Sequence, residues 1–448
     1  MLKYFLHTIF IIIIVFGFKS CATYNQKIRK TKVAIVNSDF DKALKTINKN
    51  KFLNKKRNQL LYHLEIGKIY HLKGQYDSSN YHLNIADNMM EEYAPFTDGL
   101  TSTFVNPAMR NYRAAAHEKI LVNYYKALNY LYLGEKDDAL VEVRKLNLKQ
   151  QALSISVKGK EKKYFQDPFG LILMGMIYES VNDFNNAFIA YRNAKEVYEK
   201  SKVFIGKMPP VLLNDVERTA KLTGINYNSK GDKLYKTKGK GGELILFWEN
   251  GLAPVKEEKN MIFTINKLNG KGMYVFSDLN NTIQIPFSYN FGNNPNSISL
   301  SDIGLLRVAS AYYVTNKQTT HRAKLTVNGE SVPFFIGEDV EQLAFQLEKE
   351  NYMKELGEVL LRVMVKKITE LKISQKNELV GLAVTITNVI IEKSDTRNWQ
   401  TLPNEIYFTR IPLEEGENEI KIKLENQKLI EFNVNGTGGM IFKNVVTY

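Results

Sequence analysis

The sequence predicts a multidomain protein, an all-α solenoid of helical repeats followed by an α+β domain with a largely antiparallel sheet. Three observations carry this. Residues 168–200, PFGLILMGMIYESVNDFNNAFIAYRNAKEVYEK, read as two antiparallel helices joined by a tight turn at Val181-Asn182-Asp183. From residue 243 the apolar pattern changes to short strand-like runs, two of which end in Asn250-Gly251 and Asn269-Gly270. Between those runs, 338–372 is helical: Val340, Leu343 and Leu347, then Leu356, Val359, Leu360 and Val363, keep a three-to-four spacing.

The helix pair recurs. In 168–200, Gly175 allows close helix approach, Tyr178 ends the first helix, Ala187 and Ala194 sit at the crossing, and Tyr191 fills the gap. Aligned on the turn, 60–93 supplies Gly67, Tyr70, Gly74, Tyr76, Leu83 and Ala86, and 121–147 supplies Ala127, Tyr130, Gly134, Ala139 and Val143. A half-copy at 38–47 offers Phe40, Ala43 and Ile47 as a cap. Small and aromatic residues at these offsets make the tetratricopeptide (TPR) pattern, in which one pair cannot bury its apolar face alone. The period is interrupted: against ~34 residues for an unbroken array, insertions of roughly 26 and 14 residues separate the copies. Such a TPR-like solenoid is mostly a binding scaffold, and its fold does not name a ligand.

At 448 residues the chain has room for two or three domains. Its 44% hydrophobic and 24% charged residues are those of a globular protein. The net charge of +14 reads as a lysine-rich solvated surface or as a preference for anionic partners, such as an anionic glycan or lipid; no basic stripe singles out nucleic acid. The only cysteine is Cys21, which excludes an intramolecular disulfide and a cysteine-based metal site.

That cysteine follows Lys3 and an apolar run from Tyr4 to Phe18, too short for a membrane span but suited to a secretory signal. Ser20-Cys21-Ala22 resembles a bacterial lipoprotein site, so residues 1–20 are expected as a signal peptide with Cys21 as the point of lipid attachment. The alternative is a signal anchor that stays attached. Lipid attachment implies a bacterial cell-envelope location, and Ala22, in place of an aspartate, favours the outer membrane. The helical repeat domain is expected over 21–225 and a basic Gly/Lys linker, NYNSKGDKLYKTKGKGG, over 226–242. A phosphate loop is excluded there because no strand precedes it and no helix follows. The α+β domain is expected over 243–448. Its strands are ELILFWENG, MIFTINK, NTIQIPFSY, AYYVTN and HRAKLTVNG before the long helix, and VGLAVTITNVII, EIYFTRIPL, NEIKIKLEN, KLIEFNVNG and GMIFKNVVTY after it.

Three stretches carry a resemblance: HEKILVNYYKALNYLYLGEKDDALVEVRKLN at 117–147, with Glu118, Asn123, Tyr124, Asn129 and Arg144; FWENGLAPVKEE at 247–258; and DTRNWQTLPNEIYFTRIPLEEGENEI at 395–420, with Trp399. Together with the signal and Cys21, the chain resembles over its whole length a family of uncharacterised envelope lipoproteins with a TPR-like region and a β-rich C-terminal domain. The resemblance implies an envelope location and an assembly or binding role, with Glu118, Asn129, Arg144 and Trp399 as a shared surface, and it implies no catalytic residue. The insertion at 104–117, with Ala114-Ala115-Ala116, departs from the family pattern.

No enzyme signature stands out. There is no G-x-S-x-G elbow, and the acidic neighbours Glu257-Glu258 and Glu414-Glu415 lie in turns where adjacent side chains point apart. Beyond the signal, His63, His71, His82, His117 and His321 form neither H-E-x-x-H nor another ligand set, so no metal or cofactor is expected. TPR geometry places Lys68, His71, Tyr124, Leu128, Phe169, Met176 and Glu179 on the inner groove, where aromatic, methionine and charged side chains suit a peptide; the alternative is that the insertions or the C-terminal domain fill the groove. The expected function is therefore that of a non-catalytic, lipid-anchored adaptor binding another envelope protein through this groove, in cell-wall or outer-membrane assembly. The alternative is a glycan- or lipid-binding protein acting through its C-terminal domain.

Overall fold

The computed structural model describes residues 23–92, 107–156, 167–200, 207–227, 239–268, 272–290, 298–316, 321–376 and 393–448. The expected signal segment, Cys21, most of the expected linker (228–238) and the expected strand at 380–391 lie outside the described residues.

The solenoid consists of helix pairs: α1 (Tyr24–Val36) with α2 (Phe40–Asn48), α3 (Gln59–Leu72) with α4 (Tyr76–Glu92), α5 (Ala116–Leu133) with α6 (Lys136–Ser156), and α7 (Pro168–Ser180) with α8 (Phe184–Lys200). Helix α9 (Pro210–Leu222) closes the array, with Pro209 and Pro210 starting it at positions that need no intrahelical N–H. All four pairs turn the same way. Ser38, Gly74, Gly134 and Asn182 take left-handed φ angles of 56°, 77°, 83° and 61°, a region most residue types avoid. The following N–H groups, of Asp39, Gln75, Glu135 and Asp183, donate to the carbonyls of Ala34, Tyr70, Tyr130 and Tyr178 at 2.8–2.9 Å. This is the six-to-one bond that satisfies a carbonyl left open at a helix end. The expected half-copy at 38–47 is thus the second helix of a full pair, whose first helix carries Ala34 where the other copies carry tyrosine. At Gly175 an added Cβ would lie 2.4 Å from the Tyr191 ring, and at Gly67 2.9 Å from Leu83, so both glycines set the helix spacing.

In the C-terminal half the described residues form three four-stranded sheets rather than the single sheet expected. The strands are β1 (Glu243–Asn250), β2 (Val255–Lys267), β3 (Met273–Asp278), β4 (Gln284–Ser288), β5 (Leu306–Val314), β6 (Ala323–Val327), β7 (Glu330–Val332), β8 (Phe335–Asp339), β9 (Glu405–Pro412), β10 (Gly416–Leu424), β11 (Leu429–Gly436) and β12 (Met440–Thr447). The first sheet runs β12-β1-β9-β8, the second β11-β10-β6-β7 and the third β4-β3-β2-β5. Pairing is antiparallel except between β1 and the last strand, β12, which run parallel.

Strand β1 is buried along its whole length because both faces are covered. Ile245 and Phe247, with Ile406 and Phe408 of β9, join the solenoid core, while Leu244, Leu246 and Trp248 pack on Leu325, Ile420 and Ile422 of the second sheet. Alternate side chains of a strand point to opposite faces, so an unbroken apolar run such as ELILFW fits only a strand covered on both. The long helix, α10 (Val340–Lys376), covers the third sheet. Its Leu356, Leu360, Met364 and Ile368, one turn apart, meet Phe263, Phe276, Phe287, Leu306 and Val308. The glycines at the end of the expected linker belong to this fold: a Cβ on Gly239, Gly241 or Gly242 would lie 2.1 Å from the carbonyl oxygen of Leu413, Glu414 or Gly439.

Candidate functional site

The inner groove is filled by the chain's own first sheet, which corrects the expectation of an open peptide-binding groove. Lys68, His71, Tyr124, Leu128, Phe169, Met176 and Glu179 are all buried. Phe169 stands 6.3 Å from Phe247 and 5.9 Å from Phe408, and Tyr124 6.4 Å from Phe247, ring centre to ring centre. Lys68 ion-pairs with Glu249 of β1 and lies 3.9 Å above the Tyr125 ring. Burial lowers its ammonium to about 8, with Glu249 opposing the shift. Burial and then Lys68 lower His71 to about 4, so its neutral ring joins Asn129 (Nδ1 to Oδ1, 2.6 Å) and Asn444 of β12 (3.3 Å to Nε2).

At the far end of the groove Arg410 of β9 is wholly buried among three carboxylates. It reaches Glu179 (3.1 Å) and Asp215 (2.7 Å) of the solenoid and Glu243 (2.6 Å) of β1. Arg218 adds a second guanidinium to Glu179 and Asp215. Burial would raise the Glu179 carboxyl, but Arg410 and Arg218 prevail and hold it at about 2.

Segment 395–401 seals the near end. Trp399 is 0% exposed, so it is a core residue and not the surface the family resemblance implies. Its N–H donates to Glu118 Oε1 at 2.7 Å, and the N–H groups of Gln400 and Thr401 donate to Glu65 at 3.0 and 3.2 Å. Burial raises Glu65 to about 7 against the hydrogen bonds from Thr401, Tyr24 and Gln400. Arg397 pairs with Asp395 at 2.5 Å and reaches Asn58 Oδ1 at 2.7 Å. Glu118 and Asn129 are likewise buried, Asn129 bridging His71, Ser79 and Asn80. Only Arg144 is exposed, its Nε donating to the Tyr178 hydroxyl at 2.9 Å.

Beside this seal lies a cleft of about 490 Å³. Its walls are the end of the first insertion (Pro107 to His117), strand β5, helix α10 and the start of segment 394–395. Lys256, Arg110 and Arg362 face Glu348, Glu355 and Glu358 in its lining. His117 is 3% exposed and lines the cleft beside Tyr313, yet its Nδ1 has no hydrogen-bond partner. A buried polar atom without a partner costs free energy unless something else satisfies it. Burial and then Lys256 lower His117 to about 3, so the ring is neutral. Burial opposes the Lys256 charge, but Tyr313, Glu118, Asp395 and Glu355 outweigh it and raise the ammonium. Its Nζ sits 4.8 Å above the Tyr313 ring. Burial raises both Glu348 and Glu355, and the Glu348 carboxylate accepts from the Tyr313 N–H at 2.9 and 3.1 Å.

The sequence placed no site here. Lys256 stood in the family-like run FWENGLAPVKEE, and His117 in HEKILVN, but only the fold brings the two together. Glu257-Glu258 do not act as a pair: Glu258 is bonded to Ser394, by N–H at 2.8 Å and hydroxyl at 2.9 Å. Among the described residues no group of three or more histidine, cysteine or acidic side chains converges as a metal site. His63 and His82 meet Nδ1 to Nδ1 at 3.0 Å within a tyrosine cluster.

No family model matches the sequence, and no curated protein matches it. Among solved structures, the apo form of RapI aligns at a TM-score of 0.33 and 13% identity, over 44% of this chain and 63% of RapI. MamA aligns at 0.28 and 14%, over 44% of this chain and 85% of MamA. BtubC from P. vanneervenii aligns at 0.32 and 13%, over 47% of this chain and 85% of BtubC. Likenesses of this size assign this chain to no family.

Proposed function

We propose that this chain is a non-catalytic, lipid-anchored adaptor of the bacterial cell envelope that takes a short extended peptide segment of a partner protein in the cleft between β5 and α10. The observation that supports this reading is the cleft itself, where buried His117 Nδ1 is left without a partner beside Tyr313. Its volume is that of a ligand pocket. Strand β5 is the edge of the third sheet among the described residues, and Ala309, Ser310 and Ala311 on it line the cleft. The Tyr313 N–H points outward to Glu348, so the N–H groups of Ala311 and Ala309, at the same parity, point to the open side. An open strand edge between small side chains is suited to strand addition, and the opposed charges on the walls suit a mixed-charge sequence. The filled groove, by contrast, holds the C-terminal half in place.

The test is a pull-down from crosslinked cells with wild type, Cys21→Ala and a cleft variant carrying His117→Ala and Tyr313→Phe. The partner identified is then purified and titrated. A fall in affinity of about tenfold or more in the cleft variant, as expected for two lost hydrogen bonds, supports the reading. Unchanged affinity removes the cleft as the binding seat. Retention of envelope glycan in place of any protein favours the glycan-binding alternative. Cys21→Ala remaining in the membrane fraction overturns the lipid anchor.

A further inference from the structure

A second surface, separate from the cleft, lies on the most basic stretch of the chain. Between Lys27 and Arg57 there are eleven lysines and arginines and two aspartates, a surplus of +9 within a total of +14. The fold gathers six of these eleven cations on one side. Helices α1 and α2 form a shallow concavity of about 920 Å³, into which Arg29, Lys30, Lys42, Lys45 and Lys49 converge with Lys27. Those first five side chains are exposed, and among the described residues none of them is in an ion pair. The one acidic lining residue, Asp41, is taken by Lys73 at 2.6 Å. Lys32, on the opposite side of α1, is buried against Gln400 at 3.0 Å, which orients the helix with its other basic residues outward.

Like charges held together without counter-charges cost free energy, and a surface so arranged is complementary to an extended anionic one. Its position identifies which. Helix α1 begins at Tyr24, three residues after Cys21. Three residues span at most about 11 Å, close to the Debye length of about 8–10 Å at which surface charges still interact. We propose that this basic face docks on the anionic headgroups of the bilayer that holds the lipid on Cys21, fixing the orientation of the solenoid on the membrane. The inference rests on the lipid-anchor reading. Acyl chains supply the insertion, and the face adds an electrostatic contribution that selects the headgroup.

The probe is a pair of vesicle preparations, phosphatidylcholine alone and phosphatidylcholine mixed with phosphatidylglycerol. Flotation is measured for the full chain, for the face variant Lys30→Glu/Lys42→Glu/Lys45→Glu/Lys49→Glu, and for a control with the same charge change on exposed C-terminal positions, Lys259→Glu/Lys267→Glu/Lys423→Glu/Lys428→Glu. The wild type and the control are expected to prefer anionic vesicles by at least about tenfold at low salt, a preference that high salt abolishes. The face variant is expected to show none, with an unchanged circular dichroism spectrum. Equal loss in both variants reduces the effect to net charge and overturns the proposal, as does tighter binding to duplex DNA than to anionic vesicles at the same salt. The mass of the peptide carrying Cys21, measured on the same material, reads acylation directly. An unmodified Cys21 with a persistent vesicle preference therefore fails the anchor and spares the face, and an acylated Cys21 without preference does the reverse.

Discussion

The backbone N–H of Trp399 donates to the carboxylate of Glu118 at 2.7 Å, joining residues 281 positions apart. The other oxygen of that carboxylate accepts from the Tyr112 hydroxyl at 2.5 Å and from the Ala115 N–H at 2.8 Å. One side chain therefore both caps helix α5 and holds the segment that seals the solenoid groove. Burial raises its pKa, but three donors oppose the shift.

Replacing Glu118 with glutamine keeps the shape but turns one acceptor into a donor facing donors. The cost expected is about 1.5–3 kcal/mol, the range for a lost hydrogen bond to a charged group. Trp399→Ala is expected to cost more, about 3–5 kcal/mol, because it also empties a fully buried volume. Urea unfolding followed by near- and far-ultraviolet circular dichroism checks both. The solenoid and the sheets are expected to unfold in one transition in the wild type, and a separate sheet transition in the Trp399 variant would mark release of the seal.

Arg410→Met removes the cation that three buried carboxylates share. The expected loss is about 3–5 kcal/mol, as when one member of a buried ion network is deleted. A pH effect accompanies it. In the wild type Glu179 is held at about 2, below its ordinary value near 4.5. The stability this contributes is present above pH 4.5 and is lost as pH falls toward 2. Arg410→Met is expected to shrink that acid-side loss, which thermal melts between pH 2 and 5 would show. An unchanged acid limb would assign the shift to Arg218 alone.

The repeat units were legible because their signals are local. Gly175 with Tyr191, and Gly67 with Leu83, lie within one helix pair, and the turn motif recurs at fixed offsets. Of the first pair only the second helix was legible; the first escaped because Ser38 takes the left-handed position and Ala34 stands where the others have tyrosine. The unbroken apolar run of β1 signalled a strand buried on both faces, but not by what. What covers it depends on pairs such as Lys68 with Glu249 and Glu179 with Arg410, about 180 and 230 residues apart, which no local pattern encodes. The same holds for the candidate site. Lys68, His71 and Glu179 were found as inward-facing residues, but the reason for their charge is intramolecular. The family-like residues Glu118 and Trp399 are explained by each other.

His71 is one of the buried histidines that burial keeps neutral and that moderate acid acts on. Its ring is lowered to about 4 from an ordinary 6.5, by burial and then by Lys68. A folded-state pKa depressed in this way contributes stability that is present above pH 6.5 and lost as pH falls toward 4, by about 1.4 kcal/mol per pH unit for one proton. His71→Gln keeps hydrogen-bonding capacity toward Asn129 without a titrating ring. It is expected to lower stability at pH 7 and to flatten the loss between pH 6.5 and 4 relative to the wild type. Parallel curves for the two proteins would show that His71 does not titrate with unfolding. The comparison isolates this histidine from Glu65, whose raised pKa acts in the opposite direction over an overlapping range.

The seat of the sheet in the groove can be tested at a single contact. Gly337 of β8, at the register shift between Ile336 and Glu338, has no room for a side chain, since a Cβ would lie 2.5 Å from the Phe169 ring of helix α7. Gly337→Ala is therefore expected to cost about 1–3 kcal/mol through overpacking. Phe169→Leu alone also destabilises, by opening space between Phe247 and Phe408. Combined, the two changes relieve each other, because the alanine methyl enters the space the ring vacates. The double variant is expected to be at least about 0.5–1 kcal/mol more stable than the sum of the single effects, beyond the scatter of independent sites. Additivity in denaturant unfolding would mean that Gly337 and Phe169 do not touch, and the groove would again be open to a partner. Coupling of the expected sign places the sheet there in solution and closes the groove to a partner, which leaves the cleft beside β5 and the basic face of α1 and α2 as the proposed seats of binding.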